Sequence, residues 1–160
     1  MSFLRKLLFD WFLYPAEQFY RRMFRPETYG VRVVVWDRET SKILMVRHSY
    51  GDKTMWHFPG GAYRPTREPA ENSAHRELTE ETGLRADTLE HLFTYQTDAQ
   101  GNTDYVEVYL FRFDLYNKQV PRVNDPEVAE VCWFDVDELL ATPKVYRITR
   151  QSIRKLQSAH

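Results

Sequence analysis

The chain has 160 residues, 42% of them hydrophobic and 28% charged, and a formal net charge of −1. That length and balance predict one soluble globular domain with a real core, and the near-zero charge excludes a global field drawing the protein to nucleic acid, so any phosphate-bearing partner must be held by local groups. The single cysteine, Cys132, excludes an internal disulfide and predicts a reducing, cytoplasmic setting; its place in the apolar run VCWF predicts a buried, inert thiol.

The first segment, residues 1–28, reads as an extension. Apolar residues at positions 3, 4, 7, 8, 11 and 12 follow a helical period, Ser2 is placed to cap it and Pro15 to stop or kink it. Arg5, Lys6 and Asp10 interrupt the run, which is too short to span a bilayer and has no small-residue cleavage site. Three readings stay open: a helix packed on the domain or on a second copy in a homodimer, a membrane-surface anchor formed by residues 1–24, and a degenerate targeting segment.

A single domain is predicted over residues 29–160. YGVRVVVWD, from Tyr29, and KILMVRH, Lys42 to His48, read as a hairpin of two strands around the polar turn Asp37 to Ser41. WHFPGGAYRPTRE is irregular, and a helix is expected from about Pro69 to Thr82, stopped by Gly83, with Ala70, Ala74 and Leu78 as its buried stripe. LEHLFTYQTD and DYVEVYLFRFDLY read as strands joined by the turn AQGNT, and VAEVCWFDV as another. A short helix capped by Asp135 or Asp137 follows. The tail, Val145 to Gln157, reads as a basic helix turning Ile148, Ile153 and Leu156 inward. No internal repeat, low-complexity tract or linker interrupts the series. The order suits an α/β (α+β) fold, a mixed sheet sandwiched between helices.

The central helix carries the chemistry. Glu77, Glu80 and Glu81 span an arc of about 100° and project from one face, directly after the glycine-rich loop. Clustered oxygen ligands suit hard cations, Mg²⁺ or Mn²⁺, which offset the repulsion among the carboxylates. Arg76 is placed to orient a neighbouring carboxylate. An acidic solvated face is the competing reading, and the adjoining residues weigh against it.

From Phe58 to Leu84 the chain resembles the Nudix hydrolases, whose signature is Gly, five residues, Glu, seven residues, then Arg-Glu-aliphatic-x-Glu-Glu-x-Gly-aliphatic. Glu68, seven residues and Arg76-Glu77-Leu78-Thr79-Glu80-Glu81-Thr82-Gly83-Leu84 match every specified position. The loop departs from the pattern: six residues rather than five separate Gly61 from Glu68, Ala62 holds the signature glycine's slot, and Arg67 stands where a glycine usually precedes the glutamate.

The resemblance implies the family's α/β/α sandwich and a metal-dependent hydrolase that cleaves a pyrophosphate bond in a nucleoside diphosphate derivative, a small-molecule nucleotide. A Nudix-fold domain that senses a ligand without turnover is the alternative. Carried over by position, Glu77 and Glu81 are the principal Mg²⁺ or Mn²⁺ ligands, Glu80 a second ligand or water-holding group, Glu68 completes the set, and the carbonyl near Gly61 assists. Glu77, Glu80, Glu127 and Arg76 make up the catalytic group, with Glu127 the candidate base from a later loop and Glu130 behind it. Arg47, His57, Tyr63 and Arg64 are the expected substrate readers, with Arg32 and Arg67 also near the site. The arrays marking ADP-ribose, NADH, coenzyme A and dinucleoside polyphosphate subfamilies do not fit, which leaves the substrate open.

Overall fold

The computed structural model of the protein describes residues 27–99, 102–113 and 119–158. The N-terminal helix expected over residues 1–24 lies outside them. Five strands, β1 (Glu27–Asp37), β2 (Lys42–His48), β3 (Glu90–Ala99), β4 (Asn102–Phe113) and β5 (Val128–Asp135), form one mixed sheet in the order β3-β4-β1-β2-β5. The helices are α1 (Ala70–Thr82), α2 (Val136–Ala141) and α3 (Arg147–Ser158). The expected sandwich is the fold observed.

The central strand β1 is apolar on both faces because helices cover both. Val31, Val33, Val35 and Leu44 pack with Ala74 and Leu78 of α1. On the other face Val34, Ile43, Met45 and Phe58 pack with Leu139 of α2 and with Ile153 and Leu156 of α3. Pro69 takes the N-cap position rather than the first turn, and Gly83 ends α1 in the left-handed conformation at φ 72°. Asp135 occupies the N-cap position of α2 without a side-chain cap bond. Cys132 departs from expectation: it is half-buried, and its thiol points toward Glu130 Oε1 at 3.4 Å. Among the described residues no helix is long and apolar enough to cross a membrane.

Two pairings position the site. β1 runs parallel to β4 over its whole length, from Glu27 opposite Thr103 to Asp37 opposite Phe113. β1 and β2 pair as the expected hairpin only from Val35 to Asp37 with Lys42 to Leu44. Beyond that they part, and the glycine-loop segment wedges between them. Val46 and His57 exchange both backbone bonds at 2.9 Å, while Val33 N–H donates to Pro59 O at 2.8 Å and Val31 N–H to Gly61 O at 2.9 Å. The loop is thereby held as a short strand-like insert under α1.

Candidate active site

Buried Ala74 and Leu78 fix α1 on the sheet and leave its glutamates at the edge of the packed body. Arg76 gathers three of the four signature acids. Its Nη1 donates to Glu77 Oε1 at 2.9 Å and Glu80 Oε2 at 2.8 Å; its Nη2 donates to Glu68 Oε1 at 3.0 Å and Ser73 Oγ at 3.1 Å. Burial opposes the charge on Arg76, but these carboxylates outweigh it and hold the guanidinium above its ordinary pKa. Glu77 is raised by burial, with Arg76 pulling the other way.

Glu81 is the most enclosed of the set, 6% exposed. Its Oε2 accepts the Gly60 N–H at 2.8 Å, and its Oε1 lies 3.9 Å from His48 Nδ1. Burial pushes the carboxyl up to about 7, against the stabilising pull of the Gly60 N–H and the Arg32 guanidinium. The two glycines are needed for close approach. A Cβ on Gly60, at φ 143°, would stand 2.1 Å from Val31 O; one on Gly61 would stand 2.6 Å from the Glu77 carboxylate.

A cleft of about 590 Å³ opens beside these carboxylates, with Arg32, Gly60, Gly61, His48 and His57 in its wall. The half-buried Arg32 donates to Val31 O at 2.7 Å, and burial pulls its guanidinium below its ordinary pKa. Burial, then the neighbouring His48 and Arg32 charges, push His57 down to about 4. Burial and Arg32 lower His48 as well. Both imidazoles are therefore neutral near pH 7.

The expected substrate readers scatter. His57 lines the cleft. Tyr63 and Arg64 line a neighbouring pocket, with Arg67 and Glu68, that shares Thr28, Tyr29 and Ala62 with the cleft. Arg47 is turned away: its Nε and Nη2 donate to Glu130 Oε2 at 3.2 and 2.6 Å, its Nη1 donates to Lys53 O at 3.1 Å, and it lies over the Trp56 ring. Glu127 is exposed at the rim beside Tyr50 and His48, and its carbonyl accepts the Ser49 N–H at 2.8 Å. Gly61 O accepts from Val31 N.

Sequence reading passed over His48, although a signal existed. Strand alternation puts Arg47 with Ile43 and Met45, and His48 with Leu44 on the α1 face. Asn124 was also missed. Its Nδ2 donates to Thr79 O at 3.1 Å and Glu80 O at 3.2 Å, tying the end of α1 to a segment over forty residues away. No local pattern announces such a bond.

The donors fit a hard divalent cation. They are carboxylate oxygens on one helix face, and a buried carboxyl such as Glu81 ionises at low cost only beside positive charge. Among the described residues no three acidic, histidine or cysteine side chains are grouped so as to hold a metal ion as they stand. In this arrangement the Arg76 guanidinium supplies the charge between Glu68, Glu77 and Glu80.

A mixed sheet between helices thus carries a carboxylate cluster held against a glycine loop. The chain belongs to the Nudix family: the NUDIX domain matches residues 26–156. It is 30% identical over 136 residues to human nucleoside diphosphate-linked moiety X motif 6, covering 79% of this chain and 40% of that protein. With the oxidized purine nucleoside triphosphate hydrolase of Danio rerio it shares 36% identity over 84 residues, 52% of this chain and 51% of that one. The chain thus spans about half or less of the length of these curated relatives. Its fold is shared with the MutT protein from Methanosarcina mazei Go1, at a TM-score of 0.70 and 17% identity over 84% of this chain and 96% of that one.

Proposed function

We propose that the protein hydrolyses a pyrophosphate bond in a nucleoside diphosphate derivative, NDP-X plus water giving NMP and P-X. The observation that carries this reading is Glu81, a buried carboxyl bound to the glycine loop beside three further glutamates that Arg76 holds together. Glu77, Glu81, Glu80 and Glu68 would hold Mg²⁺ or Mn²⁺, with Gly61 shaping the space against Glu77. When bound, the ion would neutralise diphosphate oxygens and acidify a water.

This chain's own residues do the rest. Arg76 keeps the acids on one side of the helix. Arg32 stands in the cleft wall as a fork for a phosphate oxygen. Glu127 is the proposed acceptor of the water's proton, with Glu80 as its alternative. His57 borders the ligand, and Tyr63 and Arg64 border the adjoining pocket.

The test is a panel of nucleoside triphosphates, nucleotide sugars, ADP-ribose and dinucleoside polyphosphates with Mg²⁺ and Mn²⁺, run on the wild type and on Glu81→Gln. Metal-dependent turnover that the variant loses supports the hydrolase. A ligand bound by both proteins and cleaved by neither establishes the sensing domain instead.

A further inference from the structure

The floor of the cleft crosses the sheet from β3 to β2, with Arg32 on the central strand between. Its two ends differ in chemistry. On the β2 side four rings run in an unbroken series. Tyr50 and His48 centroids are 5.1 Å apart, His48 and His57 4.9 Å, and His57 and Tyr146 5.0 Å. The outer two, Tyr50 and Tyr146, pack on a histidine ring each and are still 55% and 44% exposed, which leaves aromatic surface at the mouth for a planar ring to stack on.

On the β3–β4 side the wall is hydroxyl-bearing. Tyr95 and Thr97 of β3 stand there with Thr28 of β1 and Asp104 of β4. Thr28 Oγ1 donates to Asp104 Oδ1, which fixes the carboxylate and leaves Oδ2 as an acceptor. An ionised carboxylate only accepts, so it suits a ligand that brings hydroxyl donors. It repels a terminal phosphate. Among the described residues lining the cleft itself the cations are Arg32 and, next to Tyr146, Arg147, away from this end; Arg64 and Arg67 line the neighbouring pocket beyond Thr28.

The geometry points to a substrate that is a nucleoside diphosphate bearing a polyhydroxylated group, a sugar. Its base stacks against Tyr50, His48, His57 and Tyr146, and its sugar hydroxyls bind Asp104 and its neighbours. This rests on the proposed action on a diphosphate near Arg32 and the glutamates. The discrimination against triphosphates is largely repulsive, through Asp104.

The experiment compares ligands sharing a base, ADP-glucose with ATP and UDP-glucose with UTP. Binding to the full chain is titrated without divalent ion, and hydrolysis is followed with Mg²⁺. In at least one pair the sugar ligand is expected to bind tighter and to have a kcat/KM at least about tenfold higher. Asp104→Asn and Thr28→Val should each cut that preference severalfold. Tyr146→Ala should raise KM for both members of the pair alike. Equal or better use of the triphosphates, a preference unmoved by both β-side variants, or no binding of any of the four would overturn the inference. Selective binding of the sugar ligands without cleavage would uphold it while removing the proposed hydrolysis.

Discussion

Glu81 Oε2 accepts the Gly60 backbone N–H at 2.8 Å, and this bond joins the glycine loop to the signature helix across 21 residues of sequence. The loop can reach the helix because it is inserted between β1 and β2, through Val31, Val33 and Val46. A carboxyl enclosed in this way is an electrostatic strain whenever it is ionised without a neighbouring cation, and on the proposed reading it is a ligand for the divalent ion.

That strain has a pH signature. The folded-state pKa of Glu81, about 7, lies above the ordinary 4.5. Its contribution is fully present below pH 4.5 and is lost as pH rises through 7, because the unfolded chain ionises freely. At about 1.4 kcal/mol per unit, the loss is on the order of 3 kcal/mol by pH 8. Glu81→Gln should therefore raise the Tm of the metal-free protein at pH 8 and change it little at pH 5, while abolishing turnover. Mg²⁺ should raise the wild-type Tm more at pH 8 than at pH 6, where binding must first expel a proton. Calorimetry at these pH values checks both.

The two loop glycines should fail differently. Gly60→Ala drives a Cβ onto the Val31 carbonyl at a φ that L-residues avoid, and is expected to destabilise by more than about 3 kcal/mol. The nearest atoms to the Cβ of Gly61→Ala are those of the Glu77 carboxylate, the movable end of a side chain, so stability should change by less than about 1 kcal/mol while activity falls steeply. Denaturant melts beside rate measurements separate the two.

Arg76→Lys keeps the charge and loses the fork that spans Glu68, Glu77 and Glu80. We expect a roughly 10–100-fold loss in metal affinity and rate, the scale of outer-shell changes. Since Arg76 and Glu80 are well exposed, stability should fall by less than about 1 kcal/mol. Metal titration of the variant measures the first, thermal melts the second.

How much of this was legible in the sequence depended on the range of the interaction. Strand runs, α1 and its Gly83 stop are written in local period and turn chemistry, and their observed limits lie close to the expected ones. The glutamate cluster was legible because helical geometry converts spacing into direction. The parallel β1–β4 pairing, the wedge between β1 and β2, and the Asn124 bonds were not, because each joins residues far apart in the chain. Arg47 illustrates the difference. Its position near the loop suggests a substrate reader, but Glu130, the Lys53 carbonyl and the Trp56 ring hold its guanidinium outside the cleft lining.

Arg47 and Arg32 consequently make a matched pair. Arg47→Ala should leave KM within about twofold and cost less than about 1 kcal/mol, as a half-exposed ion pair does. Arg32→Gln should raise KM at least about tenfold, the worth of a charge-assisted hydrogen bond to phosphate. Steady-state kinetics on the best substrate of the panel reads both.

The central claim, that the α1 carboxylates bind a divalent ion, is tested most directly by Mn²⁺ titration followed by electron paramagnetic resonance at pH 8. The wild type should quench the free Mn²⁺ signal saturably, and Glu77→Gln and Glu81→Gln should each weaken that binding by more than about tenfold. Unsaturable binding by the wild type, or equal binding by both variants, would contradict the account.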